Sequence, residues 1–185
     1  MLTKHTQELR DAFGYLSQLE VQLLQMYAEM LPKGAVCVNI GAGAGTSALA
    51  VLEKRPDLTK TFYTVDISGG GTPLGSLEGE RNAFDKAKMP YPNQIHCDSK
   101  IVGKEWGREK IDFLIVDGDH SEEGIRGDIE SWTPHLNSNA IIFFHDYGSE
   151  NWKDVKDVVD ELMLENKKYK LMDQADTYIV FKYIE

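Results

Sequence analysis

With 185 residues, 42% of them apolar and 27% charged, the chain has material for one domain with a full core. Its formal net charge of −10 repels a phosphate backbone, which makes nucleic acid a poor partner, and no apolar run is long enough to span a bilayer. The polar N-terminus, MLTKHTQELRDAF, lacks a signal-peptide core, and Cys37 and Cys97 read as buried reduced thiols, so a cytoplasmic setting is expected.

Residues 5–31 carry Leu9, Phe13, Leu16, Leu19, Leu23, Leu24, Tyr27 and Leu31 at helical spacing. This predicts one long helix or two shorter ones, ended by Pro32 and Gly34. The extension over 1–34 is expected to pack as a lid on a sheet edge or to serve as a homodimer face. A single Rossmann-like core over 35–185 follows. It opens with AVCVNIGAGAGTSALAVL: a β-branched strand over 35–40, glycines at 41, 43 and 45, and a helix from Thr46. Glycine has no Cβ, so such a turn can take positive φ and bring main chain close to a ligand. Thr46 or Ser47 can cap the helix, whose first N–H groups point back at the turn. The whole is a nucleotide-sized cradle at the C-terminal end of a strand, where open α/β sheets bind ligands.

The stretch KTFYTVDIS, 60–68, predicts a second strand ending in Asp66, about twenty-five residues after Gly41. An acid at this place in dinucleotide-type folds receives the ribose hydroxyls, since two carboxylate oxygens can accept both protons. The glycine-rich 68–80 reads as a mobile flap or a plain linker. A helix over 80–89 is stopped by Pro90 and Pro92, and a third strand over 93–97 leads into Asp98-Ser99, where Asp98 can cap the next segment. Residues 100–110 form a polar helix or an irregular connection.

The continuous apolar run 111–116 predicts a central strand buried on both faces. It ends in Asp117-Gly118-Asp119-His120. A helix over 121–132 is closed by Pro134, and a buried strand over 140–144 ends in His145-Asp146-Tyr147. An amphipathic helix over 152–166 puts Val155, Val158, Val159 and Leu162 on one face. Short strands over 169–172 and 178–183 form an antiparallel hairpin through 173–176. The predicted fold is α/β, a doubly wound sheet, mostly parallel with an antiparallel C-terminal strand.

The glycine spacing, G-x-G-x-G, departs from the dinucleotide G-x-G-x-x-G, with Thr46 at the third glycine position. It resembles motif I of class I S-adenosyl-L-methionine (SAM) methyltransferases, with Asn39 where an acid is usual. The phrase IVDGDHSEEGIRGDIESWTPHLNSNAIIFFHDY is more diagnostic. Its D-G-D-H-S…H-D-Y pattern resembles a family of small bacterial and macrolide-sugar O-methyltransferases, over about residues 35–147. The chain departs from that family in having Glu122-Glu123 for an aromatic-Glu pair and Ser138-Asn139 for Gly-Gly.

The resemblance implies a class I methyltransferase fold, SAM as methyl donor and a small-molecule hydroxyl as acceptor. Carried onto this sequence, it implies cofactor-binding roles for Asn39, Gly41, Gly43, Gly45, Thr46, Ser47 and Asp117, with Asp66 on the ribose and Asp98 and Ser99 at the adenine. It implies a divalent cation on Asp117, His145 and Asp146, because neighbouring strand ends can bring two carboxylates to one hard ion. Such an ion lowers the pKa of a bound hydroxyl. An imidazole ligand favours manganese or another transition ion over magnesium, though a non-ligating His145 or no metal at all are alternatives. His120 falls at the family's general-base position, and a histidine titrating near neutrality suits proton removal from a hydroxyl. Two other readings stand beside this one. A nicotinamide-dependent oxidoreductase would need a second βαβαβ half. A non-catalytic SAM-binding regulatory protein would be consistent with Asn39 and His145.

Overall fold

The N-terminal apolar stripe forms two helices, α1 (Lys4–Phe13) and α2 (Gln18–Met30), in the computed structural model of the chain, which describes residues 4–13, 15–67 and 77–185. Ser17 starts α2 with a capping box. Its Oγ accepts the Glu20 N–H at 3.2 Å, and Glu20 Oε2 accepts the Ser17 N–H at 2.7 Å. The alternating elements follow: β1 (Cys37–Ile40), α3 (Thr46–Lys54), β2 (Phe62–Asp66), α4 (Leu77–Ala87), β3 (Asn93–His96), α5 (Ser99–Lys104) and β4 (Ile111–Val116). Then come α6 (Glu122–Trp132), β5 (Leu136–Phe144), α7 (Lys153–Val159), β6 (Tyr169–Ala175) and β7 (Tyr178–Tyr183).

The seven strands lie in the order β3-β2-β1-β4-β5-β7-β6. β1 to β5 are parallel, and β7 runs against both β5 and β6. This is the mostly parallel sheet with antiparallel C-terminal strands that the resemblance implies. Among the described residues no second βαβαβ half follows β5, as a dinucleotide-binding fold would need. β4 shows why its run is apolar from Phe113 onward. Phe113 and Ile115 join the core under α2 and α3, while Leu114 and Val116 join the core under α6 and α7. Burial of each such side chain contributes about 1.5–3 kcal/mol.

Several boundaries differ from the sequence expectation. α4 starts at Leu77, and the rest of the expected flap, residues 68–76, lies outside the described residues. α5 stops at Lys104. β5 begins at Leu136, four residues early, because Asn139 takes φ +70° and a register shift against β4 absorbs the extra length. Asn tolerates that left-handed backbone best after glycine. β6 runs on to Ala175, which leaves a two-residue turn, Asp176-Thr177, with Asp176 at φ +49°. Cys37 is buried as expected, but Cys97 is only half-buried, because it ends beside the cleft rather than inside a strand.

Candidate active site

Two of the three glycines in the turn stand where a side chain is crowded out. Gly41 has φ +88°, and a Cβ there would stand 2.0 Å from the Asp117 main-chain oxygen. Gly45 also has φ +88°, and its Cβ would press on Glu80 of α4 at 3.0 Å. Gly43 has open space around it and faces the clefts. Two side chains brace the turn. Asn39, fully buried, donates from Nδ2 to the Gly41 oxygen at 2.9 Å, and its Oδ1 has no partner. Asp66 Oδ2 accepts the Ala42 N–H at 2.8 Å. The expected cap on α3 is not there. Gly45 is the capping residue, in a left-handed conformation with no side chain to offer, so neither Thr46 nor Ser47 caps. Thr46 Oγ1 is buried without a partner, and Ser47 Oγ lies 3.4 Å from the Tyr178 hydroxyl. Both residues line a cleft at a helix start whose N–H groups carry no cap.

Two clefts meet at this turn. The first, about 320 Å³, runs over the C-terminal ends of β1, β2 and β4 and is lined by Gly41, Gly43, Asp66, Asp98, Ser99 and Asp117 among others. Asp98 caps α5 by accepting the Lys100 N–H at 2.8 Å, and Ser99 Oγ hydrogen-bonds the buried Asp128. The second cleft, about 400 Å³, is lined by Thr46, Ser47, Asp117, His120, His145 and Asp146, with Tyr15, Leu16 and Trp152 at its walls. Gly43 and Asp117 belong to both.

Asp117, His120, His145 and Asp146 form one charged group at the ends of β4 and β5. His120 Nε2 lies 2.9 Å from Asp146 Oδ2 and 3.6 Å from Asp117 Oδ1. Its ring stacks on Trp152 with centroids 4.6 Å apart. His145 Nδ1 lies 3.0 Å from Asp117 Oδ1 and 3.2 Å from Asp146 Oδ2. On its far side, Nε2 is 3.8 Å from Glu20 Oε1. Asp146 reaches this position with φ +58°, a left-handed backbone that costs a non-glycine residue about 1–2 kcal/mol.

The charges respond accordingly. Burial works against protonating His120, but the Asp117 and Asp146 carboxylates outweigh it and push the ring up to about 9. Burial also opposes a charged His145, and Asp117, Asp146 and Glu20 raise it far above the ordinary histidine value. Burial would raise Asp117 and Asp146, but the two histidines hold both below the usual carboxylate range.

The ligand atoms of Asp117, His120 and Asp146 all lie within 4.8 Å of one another, a donor set that fits a single divalent ion. Two carboxylates and an imidazole suit manganese, iron, cobalt or zinc better than magnesium. His145, expected among the ligands from sequence, is 7% exposed and has its two nitrogens turned to Asp117 and to Glu20. The structure therefore groups His120 with the carboxylates, while His145, which also lines the second cleft, has its nitrogens taken up by Asp117 and Glu20.

Three contributors went unread in the sequence. Glu20, 3% exposed, accepts from Ser17 N, from Thr177 N at 2.9 Å and from Thr177 Oγ1 at 2.7 Å. Burial would raise its carboxyl, but His145 and these donors hold it lowered. Its signal was the S-x-x-E box at 17–20. Glu80 is fully buried under Gly45, accepting from Thr64 Oγ1 at 2.9 Å and Gln94 Nε2 at 2.6 Å. Trp152 carried no sequence signal beyond its place near a helix start.

A family model described as a methyltransferase domain matches residues 38–147. A comparison with curated protein sequences gave no match. Solved structures similar to the chain include a Podospora anserina methyltransferase bound to S-adenosylhomocysteine, 18% identical with a TM-score of 0.75, covering 98% of this chain and 86% of that one. A Bacillus cereus O-methyltransferase in complex with S-adenosylhomocysteine is 13% identical with a TM-score of 0.69, covering 98% and 90%. A Geobacter sulfurreducens methyltransferase is 13% identical with a TM-score of 0.70, covering 97% and 85%. At such identities the likeness speaks for the fold, and the match over 38–147, more than half of the chain, speaks for the family. The chain belongs to the methyltransferase-domain family.

Proposed function

We propose that the chain transfers a methyl group from SAM to a hydroxyl on a small molecule, with a divalent cation at Asp117, His120 and Asp146. The observation that carries this reading is the meeting of two clefts at Gly43 and Asp117. One crosses the ends of three strands, as a nucleoside needs. The other is lined by the charged group and by the aromatic rings of Tyr15 and Trp152. In-line transfer between two bound groups requires just such adjacency.

In this reading Asp66 receives the ribose hydroxyls while its other bond fixes Ala42. Asp98 and Ser99 border the adenine. Gly41, Gly43 and Gly45, braced by Asn39, let main chain approach the methionyl part. Thr46 and Ser47 present the uncapped start of α3 to it. The sulfonium would supply an electrophilic methyl and depart as the thioether of S-adenosylhomocysteine, and the cation would supply Lewis acidity at the acceptor oxygen, whose proton would pass to water. Asp117, His120 and Asp146 hold the acceptor hydroxyl's surroundings fixed, and Trp152 and Tyr15 exclude water from the mouth. His120 cannot offer one nitrogen to both a cation and a proton. Its raised pKa makes it a poor base in the cation-free chain at neutral pH, so we assign it the ligand role ahead of the base role expected from sequence.

The test is release of S-adenosylhomocysteine from SAM in the presence of manganese and a mixed panel of hydroxyl compounds. Turnover that requires an acceptor and stops in EDTA supports the reading. SAM binding with no turnover on any acceptor would favour the regulatory reading, and full turnover in chelator would remove the cation.

A further inference from the structure

Glu20 lies outside the residues matched by the family model, on a helix that precedes the whole core, yet it reaches the charged group. It sits 3% exposed at a junction of three elements. One oxygen accepts the Ser17 N–H that opens α2. The other accepts both donors of Thr177, in the turn between β6 and β7. That same oxygen is 3.8 Å from His145 Nε2. The opposite nitrogen of the ring lies within 3.2 Å of both Asp117 and Asp146. Tyr178 closes the remaining side, its ring centroid 4.8 Å from that of His145.

We propose that Glu20 is a positioning residue for the methyl-transfer site: by fixing His145 from behind, it holds the Asp117 and Asp146 carboxylates in the arrangement that faces His120. The inference rests on the proposed function for its consequence in turnover, but its geometry stands without it. Free to rotate, the His145 ring would give up its 3.0 and 3.2 Å contacts to the two carboxylates and leave them held by His120 alone of these two rings. Groups that hold a ligand from behind contribute about 10–100-fold to metal affinity or activity. α2 and the β6–β7 turn thereby become part of the site, although neither borders the donor cleft.

The experiment uses the full chain and two variants. Glu20→Gln keeps the size and one acceptor oxygen but loses the carboxylate beside His145. Ser17→Ala removes the helix cap and leaves that carboxylate in place, so it reports a merely structural loss. Two readouts need no turnover: the nitrogen-15 and proton signals of the His145 and His120 rings, and manganese affinity by calorimetry. In Glu20→Gln the His145 Nε2 signal should shift, His120 should shift with it, and manganese should bind about tenfold more weakly, with affinity for S-adenosylhomocysteine unchanged. Ser17→Ala should lose thermal stability with the ring signals and manganese affinity of the wild type. Unmoved His120 signals in Glu20→Gln, or a manganese affinity changed equally by Ser17→Ala, would overturn the proposal. A wild-type chain that neither binds manganese nor releases S-adenosylhomocysteine would count against the proposed function instead, and the coupled shift of His145 and His120 would still decide the role of Glu20.

Discussion

The main-chain oxygen of Asp117 occupies the space where Gly41 would carry a Cβ, 2.0 Å from that position. The ends of β1 and β4 thus touch at the point where the two clefts join. Gly41→Ala must push β4 aside and also hold a side chain at φ +88°. Overpacking costs about 1–3 kcal/mol, and a left-handed backbone about 1–2 kcal/mol more. Denaturant unfolding should show that loss, and calorimetry should show SAM binding gone. Gly43→Ala is the contrast, because nothing lies within 4 Å of its Cβ, and only the backbone cost applies. Equal stability for Gly41→Ala and the wild type would contradict the close approach.

The two clefts predict separable defects. Asp66→Ala should weaken SAM binding by roughly 1–3 kcal/mol, the range for hydrogen bonds to a charged group, and leave acceptor KM alone. Trp152→Ala should do the reverse. It removes the 46% exposed wall of the second cleft and the face on which His120 stacks, so acceptor KM should rise while SAM affinity holds. Steady-state kinetics with both substrates varied distinguishes the two, and a shared defect would mean that the clefts do not divide the work this way.

In the proposed function His120 would tie the cation to pH. Its proton, held up to a pKa of about 9, must leave before a metal binds Nε2. Manganese affinity should therefore increase as pH rises from about 6.5 toward 9 and then level off. His120→Gln should flatten that dependence and weaken manganese binding by at least the roughly 10–100-fold that loss of a supporting partner costs, lowering kcat with it while SAM affinity is kept. The same shift affects folding. Protonated His120 stabilises the fold fully below about 6.5, and that contribution is lost as pH climbs through about 9. A manganese affinity that ignores pH in the wild type would remove His120 from the ligand set.

Glu80 gives a stability prediction remote from the charged group. Burial raises its carboxyl to about 7. Between about 4.5 and 7 the folded chain keeps a proton that the unfolded chain has lost, so stability falls as pH rises across that window. The difference amounts to about 3 kcal/mol at most. Denaturation midpoints for the wild type and Glu80→Gln, compared from pH 4.5 to 7.5, should converge at the acid end and separate at the neutral end in favour of the variant. Parallel curves would mean that Glu80 titrates as an exposed acid does.

The sheet was legible because its strands carry their environment in their composition. The run 111–116 is apolar at nearly every position because β4 faces two cores, and glycines at 41, 43 and 45 mark a turn that only such residues can make. The order of the strands is not in the pattern and appears only in the fold. What stayed hidden was orientation. His120 and His145 both lie at strand ends and both line the second cleft, and nothing local says how either ring is turned. Alternation along β5 decides it: His145 falls on the side of Phe143, under α2, where Glu20 and Tyr178 meet it. Asp146 then leaves the strand through a left-handed backbone that no spacing rule announces. Thr46 and Ser47 looked like caps because the rule reads side chains, whereas Gly45 caps by conformation alone. Glu20 shows the opposite case, a capping box written plainly at 17–20 whose second use, on Thr177 and His145, only the tertiary fold creates.

A calorimetric titration of the full chain with S-adenosylhomocysteine, run beside one with NAD, tests the central claim most directly. The account predicts saturable binding of S-adenosylhomocysteine, abolished in Gly41→Ala, and no heat from NAD. Binding of NAD with none of S-adenosylhomocysteine would contradict it.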